Sequence, residues 1–315
     1  MNTPRKIVLA GGTGFLGQVL GEWFAAKGWP VVVFTRHPGN QERAREVRWD
    51  GLTLGPWVQE LENAEAVINL SGRSVNCRYG RRNRQEIMNS RVIPTRLLGH
   101  AIAGCSNPPK VWLNASTATI YKNTRNAGWD EQGEIDATPE AKDAFSIDVA
   151  VAWEQAFHNA VTPGTRKVVL RTAMVLGQAK NSVFPTLRKL ARARLGGTMA
   201  SGTQFVSWIH HADFCRAVDW VIEHEEFSGP VNLVAPRALT NREMMQHVRE
   251  AGGMSWGLPA PLWLLEIGAF FMRTETELII KSRRAVPRRL LDSGFEFRFA
   301  DFAGAIRDLE QGRPR

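Results

Sequence analysis

Residues 7–36 read IVLAGGTGFLGQVLGEWFAAKGWPVVVFTR, and the fold is decided here. Ile7 to Ala10 is a short apolar run of the kind a strand buried on both faces requires. It ends in Gly11, Gly12, Thr13 and Gly14, and Gly17 follows one turn on, so Gly12, Gly14 and Gly17 satisfy the spacing G-x-G-x-x-G. Such a turn needs tight backbone, close approach of N–H groups to a pyrophosphate, and close packing of helix on strand; a Cβ would obstruct each. Phe15, Leu16, Val19, Leu20, Trp23 and Phe24 then recur at helical spacing, and Gly28 offers a stop. Val31 to Phe34 supplies a second strand. The alternative is an ordinary glycine turn without nucleotide, but strand, spacing and helix together favour a dinucleotide site, with the anion at the positive helix N-terminus. Gly11, Gly12, Thr13, Gly14, Phe15, Leu16 and Gly17 are its expected cradle.

The end of the second strand, about 20 residues past the glycines, normally presents an acid to the ribose 2′-hydroxyl. Here stand Thr35, Arg36 and His37. No carboxylate repels a 2′-phosphate and a guanidinium can grip one, so NADP(H) is favoured over NAD(H), with Arg43 and Arg45 as reinforcement. The alternative for Arg36 is a solvated loop charge. Glu46 to Trp49 reads as a third strand. Asp50 at its end either meets the adenine amino group or opens the Asp-Gly turn into Leu52.

Ala66 to Leu70 is a fourth strand. The small residues of Leu70, Ser71 and Gly72 after Asn69 would let a cofactor pass over its end. Arg73 to Arg84 carries five arginines with Asn76, Cys77 and Tyr79 and reads as a basic loop near the mouth of the site, either solvated or facing a substrate anion. A helix over Gln85 to Ala103 should be kinked or interrupted by Pro94. Lys110 to Asn114 is the fifth strand, delivering Ala115, Ser116 and Thr117 to the carboxyl edge where ligands of open α/β sheets bind, with Tyr121 just behind. Residues 122–143 are polar and turn-rich, a mobile cover. Phe145 to Ala160 reads as a helix, and Lys167 to Arg171 as the sixth strand that completes two mononucleotide-binding halves.

Beyond it the pattern loosens. Thr186 to Ala193 reads as a helix, Phe205 to His210 as one strand with Asp213 as a helix N-cap, and Val231 to Val234 as another strand; from Thr240 the chain is mostly helical. The expected architecture is α/β: a Rossmann-type doubly wound parallel sheet over 1–175, and a smaller, mostly helical substrate domain over 176–315, with some exchange of chain between them.

The 315 residues suffice for a sizeable core, and 43% hydrophobic with 23% charged residues is a globular composition. Forty basic against 31 acidic residues favours anionic ligands, yet no recognition motif accompanies the charge and no nucleic-acid partner is expected. Three scattered cysteines make no metal-ligand spacing and fit a reducing, cytoplasmic setting. The chain enters its first strand too soon for a cleavable signal. The apolar run Pro261 to Met272 is too short to span a bilayer and contains Glu266, so it reads as a helix of the second domain or a homodimer contact, without membrane.

Gly11 to Gly17, Asn69 to Gly72, the Ser116/Thr117 strand end and Ser207-Trp208-Ile209-His210-His211-Ala212-Asp213 together resemble the extended short-chain dehydrogenase/reductase superfamily. Ser90-Arg91, Gly229 to Pro236, Thr240-Asn241-Arg242-Glu243, Val286 to Leu291 and Gly294-Phe295-Glu296-Phe297 narrow the resemblance to its atypical branch of epimerase-family proteins with a C-terminal domain of unknown function. The resemblance implies a Rossmann domain, a small-molecule substrate, and hydride chemistry in which a tyrosine four residues before a lysine moves the proton. That pair is absent: of the two tyrosines, Tyr79 is followed at plus four by Asn83 and Tyr121 by Arg125. The equivalent helix positions are Phe145 and Val149, neither able to move a proton. Tyr121 is the first substitute expected, then Asp148 and His210, with Ser116 or Thr117 bonding a substrate oxygen and Arg171 read as an ion-pair partner. The alternative is a catalytically silent NADP(H)-binding sensor or regulatory protein.

Overall fold

The computed structural model describes residues 5–39, 44–271 and 275–312. Seven parallel strands form the main sheet: β1 (Ile7–Ala10), β2 (Val31–Thr35), β3 (Arg45–Arg48), β4 (Ala66–Asn69), β5 (Val111–Thr117), β6 (Arg166–Thr172) and, from far along the chain, Gly229–Leu233. The two intervening pairs of short strands are β7 (Met174–Leu176), β8 (Phe205–Val206), β9 (Trp208–His210) and, after Gly229–Leu233 as β10, β11 (Leu239–Thr240). The order across the sheet is β10-β6-β5-β4-β1-β2-β3. The chain therefore starts in the middle, runs to one edge and returns to the other side, which leaves a crevice at the carboxyl ends between β1 and β4.

The helices are α1 (Phe15–Ala26), α2 (Arg81–Ala103), α3 (Ala144–His158), α4 (Phe184–Arg192), α5 (His211–Glu223), α6 (Asn241–Ala251), α7 (Leu262–Phe271), α8 (Glu277–Ile280), α9 (Arg288–Asp292) and α10 (Phe302–Gln311). Alternate residues of each central strand feed two cores. Ile7, Leu9, Val33 and Ile68 pack with Leu20 and Phe24 of α1 and Phe214 and Val218 of α5; Val8, Ala10, Val32 and Val67 pack with Leu98 and Ile102 of α2 and Phe157 of α3. A third core joins α4, α6 and α10 around Phe184, Trp208, Met245 and Ile306. Chain beyond residue 175 thus serves the first sheet, through β10 beside β6 and α5 beneath β1, as well as a helical layer of its own.

Several elements differ from expectation. The helix expected from Gln85 begins at Arg81, so Arg81, Arg82 and Arg84 belong to its first turn, and it continues through Pro94. Packing overrides the proline: its ring is buried against Gly51, while the next residue, Thr95, donates its hydroxyl to the Arg91 carbonyl at 2.7 Å. Phe205 to His210 is two strands in different sheets. Ser207 between them accepts from the Ala285 N–H and donates to the Arg283 carbonyl, which diverts the chain. Asp213 is not the cap of α5: His210 caps it, Nδ1 accepting from the Ala212 N–H, and the Asp213 carboxylate instead accepts from the N–H groups of Arg298 and Phe299. The cover over 122–143 is tied down. Trp129 bridges Ala285, and buried Glu131 accepts from the Asn232 and Arg289 N–H groups.

Candidate functional site

A cleft of about 550 Å³ opens at the carboxyl edge of β1, β4 and β5, within the range of small-molecule sites. The glycine turn forms one wall. A Cβ on Gly17 would lie 2.1 Å from the Gly12 carbonyl oxygen and one on Gly12 2.8 Å from Leu9 Cβ, so both glycines are required by the close packing of α1 on β1. Gly14 is different: a Cβ there meets nothing within 4 Å, because the residue faces the open cleft. It also provides no side-chain cap, so the first amide groups of α1 are left to bond a ligand. Opposite stands Ser71, its backbone 3.0 Å from a Cβ placed on Gly11, and its buried hydroxyl has no partner among the described residues. An open anion-binding helix end and an orphaned hydroxyl across it fit a bound dinucleotide.

Behind the cleft lining lies a buried polar network. Asn69 donates to Thr95 Oγ1 at 2.9 Å and to Asn114 Oδ1 at 2.7 Å, and the Trp153 indole donates to the same threonine at 3.0 Å. These bonds lock β4, β5, α2 and α3 together, since each partner would be costly if left unpaired when buried. Gly11, Gly14, Phe15, Leu16, Gly17, Leu70, Ser71 and Gly72 of the expected cradle line the cleft. Thr35 is buried at the end of β2 with Oγ1 accepting from the His37 N–H, and Arg36 beside it is exposed and makes no ion pair among the described residues. Arg45 pairs with Glu60; Arg43 lies outside the described residues. Asp50 takes the turn role, its carboxylate accepting from the Leu52 and Thr53 N–H groups and from the Thr53 hydroxyl.

Of the expected catalytic residues the structure brings Ser116 and Thr117 to the cleft. Ser116 donates to Glu154 Oε1 at 2.6 Å, whereas Thr117 Oγ1 accepts from the Thr119 N–H at 3.1 Å and has no acceptor for its own proton among the described residues. Tyr121 lies elsewhere. The turn at 118–120 swings it away from the strand end, and its hydroxyl is buried between Asn232 Oδ1 at 2.7 Å and Arg171 Nη1 at 3.0 Å. Burial lifts its pKa to about 12 despite the Arg171 charge. Asp148 is on the exposed side of α3, and His210 is buried as the α5 cap. Arg171 is paired with Glu154 at 2.8 Å, both nearly inaccessible.

Two further cleft residues, one of them in the loop expected near the mouth, receive no chemical role from the sequence. Tyr79, brought in by the loop before α2, lines the cleft edge-on to Phe145 with ring centroids 5.0 Å apart. Its backbone N–H donates to Glu275 at 2.7 Å, and its phenol and the Glu277 carboxyl both lie near Ser146. Burial, with the Glu277 charge, raises the phenol pKa to about 12. Arg91 comes from α2, in the Ser90-Arg91 pair. Phe145, Ser146, Val149, Ala150 and Trp153 are what α3 shows the cleft.

Comparison with known proteins agrees with this geometry. The profile of the NAD dependent epimerase/dehydratase family matches residues 7–234, and that of a domain of unknown function, DUF1731, matches residues 260–309. The chain belongs to the NAD dependent epimerase/dehydratase family. It is 29% identical to the epimerase family protein SDR39U1 of Homo sapiens, covering 96% of this chain and 99% of that one. The Bos taurus counterpart is 30% identical over the same shares. The crystal structure of human SDR39U1 (isoform 2) with NADPH superposes with a TM-score of 0.85 at 28% identity, covering 98% of this chain and all of that one. A UDP-N-acetylglucosamine 4-epimerase from Bacillus cereus, at 21% identity and a TM-score of 0.76 over 97% of this chain and 98% of that one, shares the fold. No helix among the described residues is long and apolar enough to cross a membrane, and no group of three or more metal-ligating side chains occurs among them.

Proposed function

We propose that the cleft holds NADP(H) and presents it to a small molecule bearing a carbonyl or hydroxyl group, for reduction or epimerase-like chemistry. The observation that carries this is the open N-terminus of α1 at Gly14 facing the orphaned Ser71 hydroxyl, with exposed Arg36 and no carboxylate at the end of β2. The NADPH bound by the human relative supports it. The α1 amide groups and Ser71 would hold the diphosphate, and Arg36 the 2′-phosphate.

NADPH, when bound, supplies the hydride. The chain's own residues orient the substrate and move the proton. Thr117, whose hydroxyl has no acceptor among the described residues, polarises the substrate oxygen, while Ser116 is committed to Glu154. The proton that reaches this oxygen is assigned to the Tyr79 phenol, which lines the cleft against Phe145, the residue that the resemblance equates with the superfamily's helix tyrosine. Burial keeps the nearby Glu277 carboxyl above its ordinary pKa, so the surroundings of the phenol favour its protonated, donating form.

The mostly apolar face that α3 shows the cleft, with Phe145 and Val149 on it, favours a second reading, a cofactor-binding sensor without turnover. Incubation with NADPH and a panel of carbonyl and nucleotide-sugar compounds separates the two. Consumption of NADPH that falls at least about tenfold in Thr117→Val and Tyr79→Phe supports the enzyme. Tight NADPH binding with no consumption over the panel supports the sensor.

A further inference from the structure

We propose that Arg91 is an anion anchor in the wall of the cleft, holding an oxyanion of a bound ligand through its guanidinium. Arg91 lines the cleft beside Gly72, where a Cβ would come within 3.1 Å of its Cζ. Nη1 donates to the Ile87 carbonyl at 3.0 Å and to Ser90 Oγ at 3.4 Å, and Nη2 donates to the Arg73 carbonyl at 3.2 Å. A guanidinium has five N–H donors, so Nε–H and one Nη2–H are left over among the described residues, on adjacent nitrogens suited to a two-pronged grip on an oxyanion.

Among the described residues every partner is neutral: two carbonyls, a hydroxyl, and the Trp153 ring 5.3 Å from Cζ. No carboxylate is paired with Arg91 among the described residues. The neighbouring arginine is different, because Arg73 is neutralised by Glu86. Burial, together with the Arg73 charge, pushes the Arg91 pKa down to about 10, the sign of a cation lacking its counter-charge. A largely buried, uncompensated cation is costly unless something pairs with it. Here the open side of the group is the cleft, so the pairing charge belongs to a ligand.

Two ligands have that chemistry: the diphosphate bridge of the dinucleotide, and a phosphate or carboxylate on the substrate. The first rests on the cofactor reading above; the second does not. The test compares wild type, Arg91→Gln and Arg91→Lys by calorimetric titration with NADPH and, separately, with inorganic phosphate, on the free chain and on the NADPH-saturated chain. Thermal midpoints are recorded without ligand.

NADPH binding weakened roughly ten- to hundredfold in Arg91→Gln, with partial rescue by Lys, assigns Arg91 to the cofactor diphosphate. Unchanged NADPH affinity, with phosphate binding to the saturated chain lost only in Arg91→Gln, assigns it to a second anionic ligand. In either case the unliganded Gln variant melts no lower than wild type, since an unpaired cation has been removed. A wild type that ignores NADPH but binds phosphate through Arg91 overturns the cofactor reading and keeps the anchor. Unchanged binding of both ligands overturns the anchor, as does a Gln variant that melts several degrees lower with Lys behaving identically.

Discussion

The Ser116 hydroxyl donates to Oε1 of Glu154 at 2.6 Å, and the same carboxylate holds the Arg171 guanidinium through Nε and Nη2. With its proton turned inward, Ser116 shows the cleft only lone pairs. The adjacent Thr117 has the opposite polarity and is the donor available to a substrate oxygen. Ser116→Ala should therefore leave turnover or substrate-analogue affinity within about threefold, while Thr117→Val lowers it about tenfold or more. Steady-state kinetics of the two variants decide the order.

Breaking the pair behind Ser116 acts on stability instead. Glu154→Gln leaves a buried Arg171 without its counter-charge, and chemical denaturation should show a loss of about 3–5 kcal/mol. Tyr121→Phe belongs to the same network. It removes a buried hydroxyl from Asn232 and Arg171 and should cost about 1–3 kcal/mol, with NADPH affinity unchanged because Tyr121 is outside the cleft.

The two glycines of the turn should fail in different ways. Gly17→Ala places a Cβ against the Gly12 carbonyl and should lower the thermal midpoint by several degrees. Gly14→Ala has ordinary extended backbone and open space around it, so the midpoint should hold while NADPH binding weakens at least about tenfold. Differential scanning fluorimetry with and without NADPH reads both effects.

What could be read in the sequence is what local chemistry decides. The glycine spacing, the apolar strands and the missing acid at Thr35-Arg36 are properties of neighbouring residues, and the sheet and its crevice follow from them. Pro94 could not be read correctly, because the packing of its ring depends on Gly51 and that of the helix on α3. Tyr121 stands next to the strand end in sequence, but a single turn and partners at 171 and 232 carry it out of the cleft. The loop carrying Tyr79 could be read as lying near the mouth, but the roles of Tyr79 and Arg91 could not, because their placement depends on how residues 73–80 meet Ser90 and residues 275–277.

His210 makes the fold acid-sensitive. Burial, with His211 and Arg298 nearby, holds its pKa down from 6.5 to about 3, and its cap bond to Ala212 needs Nδ1 unprotonated. A depressed folded pKa means that the stability is present above 6.5 and is lost as pH falls from there toward 3, by up to about 1.4 kcal/mol per pH unit. His210→Asn retains a capping side chain without the titration. Acid unfolding followed by circular dichroism should show a shallower loss of stability in the variant across this window; parallel curves would rule out His210 as the cause.

The cofactor assignment is tested most directly by titrating NADPH and NADH into wild type and Arg36→Ala. Wild type should bind NADPH at least about tenfold more tightly than NADH, and the variant should lose most of that preference by weakening NADPH alone. Equal affinity of wild type for the two dinucleotides would contradict the account.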